Sequence, residues 1–465
     1  LLVLTTWLLL LPASSCGRGP LADARPSIVL VVVDTLRADY LGCYGFDGDI
    51  SPNIDALAEE SFVLNSCYSQ APWTTPSVAS MMTSMLPDLY GVGLPEDAPR
   101  DHRQWRRQWS PAIPDSATTL AEQLQASGYG TAAFVANPFL IDGLGFDQGF
   151  EVFDTRRARA ADRSAERLFE DSGEWLDRAL DARAPFFLYL HLMDVHGPYN
   201  AHRRDFFAVR ESPGLGPDHR LTNEEYDRIQ PYLRKPDWAK QPEARFVRTW
   251  RGRYAAGVRA VDRQIGSLLD RLRTHPRWAN TVVILTSDHG EELFDHGNWD
   301  HGFSLYQHQL HVPLIVRLPG GDRAGTRHDG PARLLDLAPT LLGLVGIAPT
   351  PADQGRDLLD GGDDTGPQPV FASCNKQRPD EAAVIVGSDK LIVDLESGSH
   401  RLYDLETDPG ETIDRWSETD ETALLLEHLL QRLRSSRLSS AAGSQPIIEL
   451  TDEQLEQLRE LGYVE

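Results

Sequence analysis

The sequence predicts an α/β fold: a large, mainly parallel or mixed sheet flanked by helices, followed by a small C-terminal α+β subdomain. Three observations predict it. Residues 27–33, SIVLVVV, and 281–286, TVVILT, are continuous apolar runs rich in β-branched side chains, the pattern of strands covered on both faces. Helical periodicity falls between such runs, and strands alternating with helices imply parallel crossovers. Beyond about residue 350 the chain turns Gly- and Asp-rich and then resumes with short strand patterns.

Taken in order, strands are expected at 27–33, 129–136, 185–193, 281–286 and 312–318, and helices at 54–60, 77–83, 119–126, 249–273 and 334–344. Residues 200–247 are charged, contain proline and lack a strand pattern. They are expected to form a cap or rim insertion in a catalytic domain spanning 26–350. The stretch 353–367, DQGRDLLDGGDDTGP, reads as a linker. The small subdomain is expected over 351–440, with short strands within 382–405 and a helix near 422–434. Residues 441–465 form a tail.

The length of 465 residues suits one large catalytic domain with an appendage, or two or three domains. Lys and Arg number 45 against 69 Asp and Glu, a net charge of −24. Such a surface repels nucleic acid, and no nucleic-acid partner is expected. Residues 1–13, LLVLTTWLLLLPA, are an apolar run too short to cross a bilayer as a stable helix. The run resembles the core of a secretory signal. Ala13-Ser14-Ser15-Cys16 resembles a lipoprotein cleavage box, with Cys16 the lipid-bearing residue. Residues 1–25 are therefore expected to be a leader and linker. The protein is expected to be exported to the periplasm or outer surface, either lipid-anchored at Cys16 or through a plain export signal. Cys43, Cys67 and Cys374 show no paired metal-site spacing. A Cys43–Cys67 bridge is compatible with export.

Both of the strongest strand patterns end in aspartate, Asp34 and Asp288, and His289 follows the second. Ligands of open α/β sheets sit beyond the carboxyl ends of the strands. Two carboxylates and an imidazole there suit a divalent metal, whereas a lone Asp is an ordinary turn or cap residue. Of 14 histidines, five fall within 289–311: His289, His296, His301, His308 and His311. His308 and His311 lead into the apolar run at 312 and read as structural or surface residues. His191 and His196 bracket the end of another strand, and the Gly197-Pro198 exit puts His196 at the same sheet edge. Thr74-Thr75-Pro76-Ser77 opens a helix, since Pro76 suits a first turn. A hydroxyl at Thr74 or Thr75 would lie beside exposed helix N–H groups, which favour an anion. The alternative role of these threonines is helix capping.

Together these segments resemble the sulfatase family of the alkaline phosphatase superfamily. The resemblance rests on DTLRADYLGCYG (34–45), SPNIDALAEES (51–61), TTPSVASMMTSMLP (74–87), GYGTAAF (128–134), HLMDVHGPY (191–199), TSDHGEEL (286–293), HGFSLYQHQLHVPLIVR (301–317) and LYDLETDPGE (402–411), which occur in the family's order. It implies a large α/β domain with a small C-terminal antiparallel sheet and helix. It also implies a divalent metal ion held by Asp34, Asp288 and His289. Thr74 falls where sulfatases carry the Cys or Ser that becomes formylglycine, which implies a nucleophile that also ligates the metal. His196 resembles a residue for the substrate anion or the leaving group. His301 stands where many sulfatases have a sulfate-binding Lys.

The departures from the family pattern shape the expected chemistry. The formylglycine signature Cys/Ser-x-Pro-x-Arg reads here Thr74-Thr75-Pro76-Ser77-Val78, so no formylglycine is expected. Thr35 stands where sulfatases usually have a second Asp. These features look more like the branch of phosphoethanolamine transferases and lipoteichoic-acid-type synthases, which use an unmodified Thr. Calcium prefers about six to eight oxygen ligands, and the missing carboxylate at Thr35 favours zinc or manganese over calcium. The expected protein is a metal-dependent hydrolase of anionic sulfate or phosphate esters, with phosphoryl chemistry favoured. The alternatives are a phosphoryl-group transferase of the phosphoethanolamine type and a degenerate anion-binding protein. For the leader, the native chain is expected to begin at or near Cys16. Mass spectrometry of its N-terminus checks this, and an intact 1–13 segment on a cytosolic protein would refute it.

Overall fold

The computed structural model describes residues 25–87, 113–197, 199, 203–209, 244–350, 353–360, 368–374 and 380–440. The expected leader, most of the expected cap and the tail lie outside the described residues. The first half of the chain forms β1 (Ser27–Val33), α1 (Pro52–Glu59), β2 (Phe62–Tyr68), α2 (Thr74–Thr83), α3 (Leu120–Ala126), β3 (Gly130–Val135), β4 (Val152–Asp154), α4 (Ala165–Asp181), β5 (Phe186–Leu192) and α5 (Arg203–Val209). There follow α6 (Ala244–Arg273), β6 (Thr281–Thr286), β7 (Glu292–Leu293), β8 (Trp299–Asp300), α7 (Gln307–Leu310), β9 (His311–Arg317), β10 (Thr326–Arg333) and α8 (Leu337–Leu344). The last elements are β11 (Val370–Cys374), β12 (Glu381–Val386), β13 (Asp389–Asp394), β14 (His400–Asp404) and α9 (Glu421–Ser440).

Among the described residues the main sheet has eight strands in the order β10-β2-β9-β6-β1-β5-β3-β4. Only β9 runs against its neighbours, pairing antiparallel with both β2 and β6. The sheet is therefore mixed, as expected. β1 lies at its centre, parallel to β6 on one side and β5 on the other. The alternation of side chains along β1 divides the interior in two. Val29, Val31 and Val33 join the core under α1, α4 and α6. Ile28, Leu30 and Val32 join the core under α2, α3 and α8. Helices on both faces explain why this strand has no polar face.

Helix starts follow local chemistry. Thr119 caps α3 by accepting from Glu122 N while Glu122 reaches back to Thr119 N, a reciprocal capping box. α1 begins with Pro52, and the Asp262 carboxylate of α6 accepts from Asn53 N and Ile54 N, satisfying donors that no helical carbonyl can reach. Three expectations need correction. Phe62–Tyr68 and Thr326–Arg333 are strands that the sequence reading did not pick out. Ala165–Asp181 is a long amphipathic helix that it also passed over. Cys43 and Cys67 are both free thiols, so the bridge between them is not formed.

The second sheet is antiparallel, in the order β11-β12-β13-β14. Ala383, Ile385 and Ile392 on one face pack against Tyr68, Leu305 and Leu310 of the main body. Ala382, Val384, Leu391 and Val393 on the other face pack against Ala423, Leu426 and Leu430 of α9. Within the small subdomain Lys390 Nζ and Glu411 Oε1 form a fully buried ion pair at 2.6 Å. Glu411 Oε2 also accepts from Gln307 N of α7 at 2.5 Å. Removing one partner of such a pair strands the other charge out of water. Lys390→Met is expected to lower unfolding stability by about 3–5 kcal/mol, measured by urea denaturation. Adding Glu411→Gln should recover much of that loss.

Candidate active site

The site is built where strands β1, β6 and β5 end together. Asp34 follows β1, Asp288 and His289 follow β6, and His191 lies in the last turn of side chains on β5. All four are completely buried. Parallel pairing of β1 with β6 and β5 fixes their separations, because the register puts Val32 beside both Thr286 and His191. Residue 35 bends the chain away: Thr35 has a φ of 59°, a strained conformation for a β-branched residue. The bend lets Thr35 N donate to Asp288 Oδ1 at 3.3 Å, and Thr35 Oγ1 donates to Asp34 O at 2.7 Å.

Each carboxylate has one satisfied and one unsatisfied oxygen. Asp34 Oδ2 accepts from Asn137 Nδ2 at 2.5 Å and His191 Nε2 at 3.1 Å. Asp288 Oδ1 accepts from Thr35 N and from His289 N, the latter at 2.9 Å. Asp34 Oδ1 and Asp288 Oδ2 are buried with no hydrogen-bond partner among the described residues. Buried carboxylate oxygens without partners are costly unless a cation meets them. Burial raises the Asp34 carboxyl, but the His191 hydrogen bond and the neighbouring imidazoles outweigh it and hold Asp34 well below the usual range. Burial and then the Asp34 charge push Asp288 upward. The two neighbouring carboxyls are thus driven in opposite directions, Asp34 by its imidazole partners and Asp288 by burial beside a like charge.

His289 completes the donor set. Its Nδ1 lies 2.9 Å from Gly290 O, and a carbonyl only accepts, so Nδ1 carries the proton. Nε2 therefore presents a lone pair, 3.5 Å from Asp288 Oδ2 and 3.8 Å from Asp34 Oδ1. Two carboxylate oxygens and an imidazole nitrogen fit a divalent cation. Asp34, His191 and Asp288 also bring one donor atom each within 4.8 Å of one another.

Thr74 is the first residue of α2, with Trp73 in the capping position. The capping role is thus not the one Thr74 plays. Its Oγ1 instead lies 3.3 Å from His289 Nε2 and 3.2 Å from Asn137 Nδ2. Ser77, one turn on, donates to Asp288 O at 2.5 Å and pins the helix start to the end of β6. Thr75 is fully buried, and its hydroxyl has no partner among the described residues.

His196 and His301 form the opposite side. Their rings are 5.1 Å apart, and the His301 ring is 4.5 Å from that of His289. His196 Nδ1 donates to Gly197 O at 2.6 Å. His301 Nδ1 lies 3.0 Å from Asp300 Oδ1 and 3.1 Å from Glu291 Oε1. Burial alone would favour neutral His301, but the charges and hydrogen bonds of Asp300 and Glu291 prevail and raise its pKa to about 10. Every site residue expected from the sequence, Asp34, Thr74, His196, Asp288, His289 and His301, thus converges on one place. His308 and His311 do not join it. His308 lies near Asp295, and His311 Nε2 contacts Asn65 O. Asn137, Glu291 and Asp300 were not anticipated, and His191 was noted without a role. The available signal for His191 was a polar residue in an otherwise apolar strand.

Fold and site together place a buried cluster of carboxylates, imidazoles and a threonine hydroxyl at the carboxyl ends of a mixed α/β sheet. Residues 26–347 match the family model described as sulfatase, and the chain belongs to the sulfatase family. It is 24% identical over 444 residues to an arylsulfatase of Clostridium perfringens, covering 83% of this chain and 89% of that one. It is 28% identical over 407 residues to N-acetylgalactosamine-6-sulfatase of Canis lupus familiaris, covering 77% and 69%. Among solved structures, a protein in complex with its substrate D-glucosamine-2-N,6-O-disulfate superposes with a TM-score of 0.68 at 20% identity, covering 89% of this chain and 98% of that one. The phosphonate monoester hydrolase of Agrobacterium radiobacter superposes with a TM-score of 0.67 at 20% identity, covering 90% and 96%.

The His301 environment sets a pH dependence. A histidine whose pKa is raised on folding contributes stability that is fully present below its unfolded value, about 6.5, and is lost as pH rises through the folded value. Glu291→Gln removes one of the two charges that hold the proton. The stability advantage of the wild type over Glu291→Gln is expected to be largest below pH of about 6.5 and to shrink toward pH 10. Denaturation midpoints across that range check it, and an advantage independent of pH would contradict it.

Proposed function

We propose that the protein cleaves anionic esters with Thr74 as an unmodified nucleophile, and that phosphate esters or phosphodiesters are preferred over sulfate esters. The observation that carries this reading is the placement of Thr74 Oγ1. It sits at the start of α2 within 3.3 Å of the His289 lone pair, beside the two carboxylates with unsatisfied oxygens. Asp34, Asp288, His289 and Thr74 would hold a divalent cation, which supplies charge that eases ionisation of the Thr74 hydroxyl and stabilises the oxygens of the transferring group. The mix of carboxylate, hydroxyl and imidazole favours zinc or manganese over calcium. Thr35 supports this, since it offers no carboxylate and its hydroxyl donates to Asp34 O.

The residues themselves divide the chemistry. Thr74 Oγ1 attacks phosphorus, and the bond from phosphorus to the leaving oxygen breaks. Helix α2 aims its first N–H groups and its dipole at the anion. With the Nδ1 atoms of His196 and His301 committed to Gly197 and to the Glu291–Asp300 pair, proton exchange by either ring runs through Nε2. One of these rings protonates the leaving oxygen. Water then attacks phosphorus, gives its proton to the ring that protonated the leaving oxygen, and releases Thr74 as the alkoxide; an acceptor alcohol in place of water would make the same chemistry a transfer.

The preference for phosphorus follows from the nucleophile. Formylglycine hydrate carries two hydroxyls on one carbon, so its sulfate ester can collapse to the aldehyde by C–O cleavage. Threonine has one hydroxyl and no such exit. A phosphorylated threonine is resolved by in-line attack at phosphorus. The names of the sulfatases and the phosphonate monoester hydrolase that this chain resembles support an anionic ester as substrate.

Thr74→Ala is expected to lower turnover by several orders of magnitude with little loss of stability, and Thr75→Ala to spare activity. Matched aryl phosphate, phosphodiester and aryl sulfate substrates with added zinc or manganese measure the preference. A clear preference for sulfate, with Thr74 shown unmodified by peptide mass, would overturn the phosphoryl reading. Elemental analysis of protein never exposed to chelator should find zinc or manganese, and stoichiometric calcium alone would refute the metal assignment.

A further inference from the structure

We propose that Tyr189 and His191 form a positioning relay that holds Asp34 by one oxygen, and that His191 is not itself a metal ligand. The proposal rests on the reading of Asp34 and Asp288 as a cation site. By distance His191 belongs with the ligand donors, since Nε2 is 3.1 Å from Asp34 Oδ2 and 3.9 Å from Asp288 Oδ2. The positions of the protons decide otherwise.

Tyr189 and His191 are two residues apart on β5 and so share a face. Both are buried, and Tyr189 Oη lies 2.7 Å from His191 Nδ1. Burial pushes ionisation of this phenol well above the ordinary range, so the hydroxyl keeps its proton. Among the described residues, Nδ1 is the acceptor that proton has. With Nδ1 accepting, Nε2 carries hydrogen and donates to Asp34 Oδ2.

The converse arrangement fails twice. If Nε2 offered its lone pair to a cation, Nδ1–H would point at the tyrosine oxygen and leave the buried phenol proton without that acceptor. The Nε2 lone pair would also face a lone pair of Asp34 Oδ2. His289 has the opposite tautomer, fixed by Gly290 O, and exposes its Nε2 lone pair to the site. The two histidines are thus sorted by their second ring nitrogen.

Asn137 adds the second donor to the same oxygen. Its amide is oriented by Phe139 N, which donates to Asn137 Oδ1 at 2.7 Å, so that Nδ2 faces Asp34 Oδ2 at 2.5 Å. Asp34 Oδ2 is saturated by two donors, while Oδ1 has none among the described residues. The relay therefore fixes the rotation of the carboxylate and commits Oδ1 to the cation.

The test uses the full chain with zinc alone, in wild type, Tyr189→Phe, His191→Leu and His191→Gln. Chelator competition gives zinc affinity, X-ray absorption counts imidazole ligands, and thermal melting of the metal-free proteins monitors the fold. Tyr189→Phe and His191→Leu are expected to weaken zinc binding by about 10–100-fold. His191→Gln, whose amide can still donate to Asp34, should recover most of that loss. The imidazole count should be unchanged in every variant. Loss of an imidazole ligand in His191→Gln would show that His191 binds the metal and overturn the relay. Unchanged affinity in both Tyr189→Phe and His191→Leu would also overturn it, while leaving the cation site intact. A wild-type chain that binds no divalent metal would instead overturn the cation site, and the relay with it.

Discussion

Two carboxylates buried side by side organise this molecule. Asp34 and Asp288 end neighbouring parallel strands and are shielded from water. Like charges held close in a medium of low dielectric repel strongly. The surrounding groups answer that repulsion in a divided way. Backbone N–H groups of Thr35 and His289 serve one oxygen of Asp288, while Asn137 and His191 serve one oxygen of Asp34. The strained backbone at Thr35 is part of the same arrangement, because its left-handed turn aims the N–H at Asp288.

The loop after β1 and the loop after β6 are held to each other by a buried arginine. Arg37 Nη1 donates to Glu291 O and pairs with Asp295, and its other nitrogens pair with Asp39. Arg251 of α6 adds a second cation on Asp295. Glu291, so anchored through its backbone, uses one carboxylate oxygen for His301 and the other for the Tyr199 hydroxyl. The orientation of His301 thus depends on a residue just after Asp34, reached through two loops. A buried charge with several partners specifies one geometry, because each alternative leaves a charge unpaired.

The parts of the fold that were legible in the sequence are those with a single physical solution. β1 and β6 are apolar on both faces, so their runs admitted no rival period, and the aspartates that end them stood out. β2 and β10 were not legible for the opposite reason. β2 carries Asn65 and Ser66 in its middle, and β10 is a half-exposed edge strand with Gly330, Pro331 and a register shift. Thr74, His196 and His301 could be placed by motif. Asn137 could not, since an Asn after a strand is ordinary turn chemistry. Glu291 and Asp300 lie in a stretch dense with acidic residues, where nothing local marks the two that meet His301.

The central position of β1 has a consequence for how the chain can fold. β1 pairs with β5 and β6, and the contacts at its end join Asp34 to a residue 157 positions away and Thr35 to one 253 positions away. Closing such long loops costs entropy before any pairing is gained. A strand drawn from near the start of the chain must therefore wait for partners from its middle and its second half. Asp34 and Asp288 are brought together by the pairing of β1 with β6, so the repulsion between them enters with the closure of that long loop. A cation captured at that moment would act as a latch on the finished sheet.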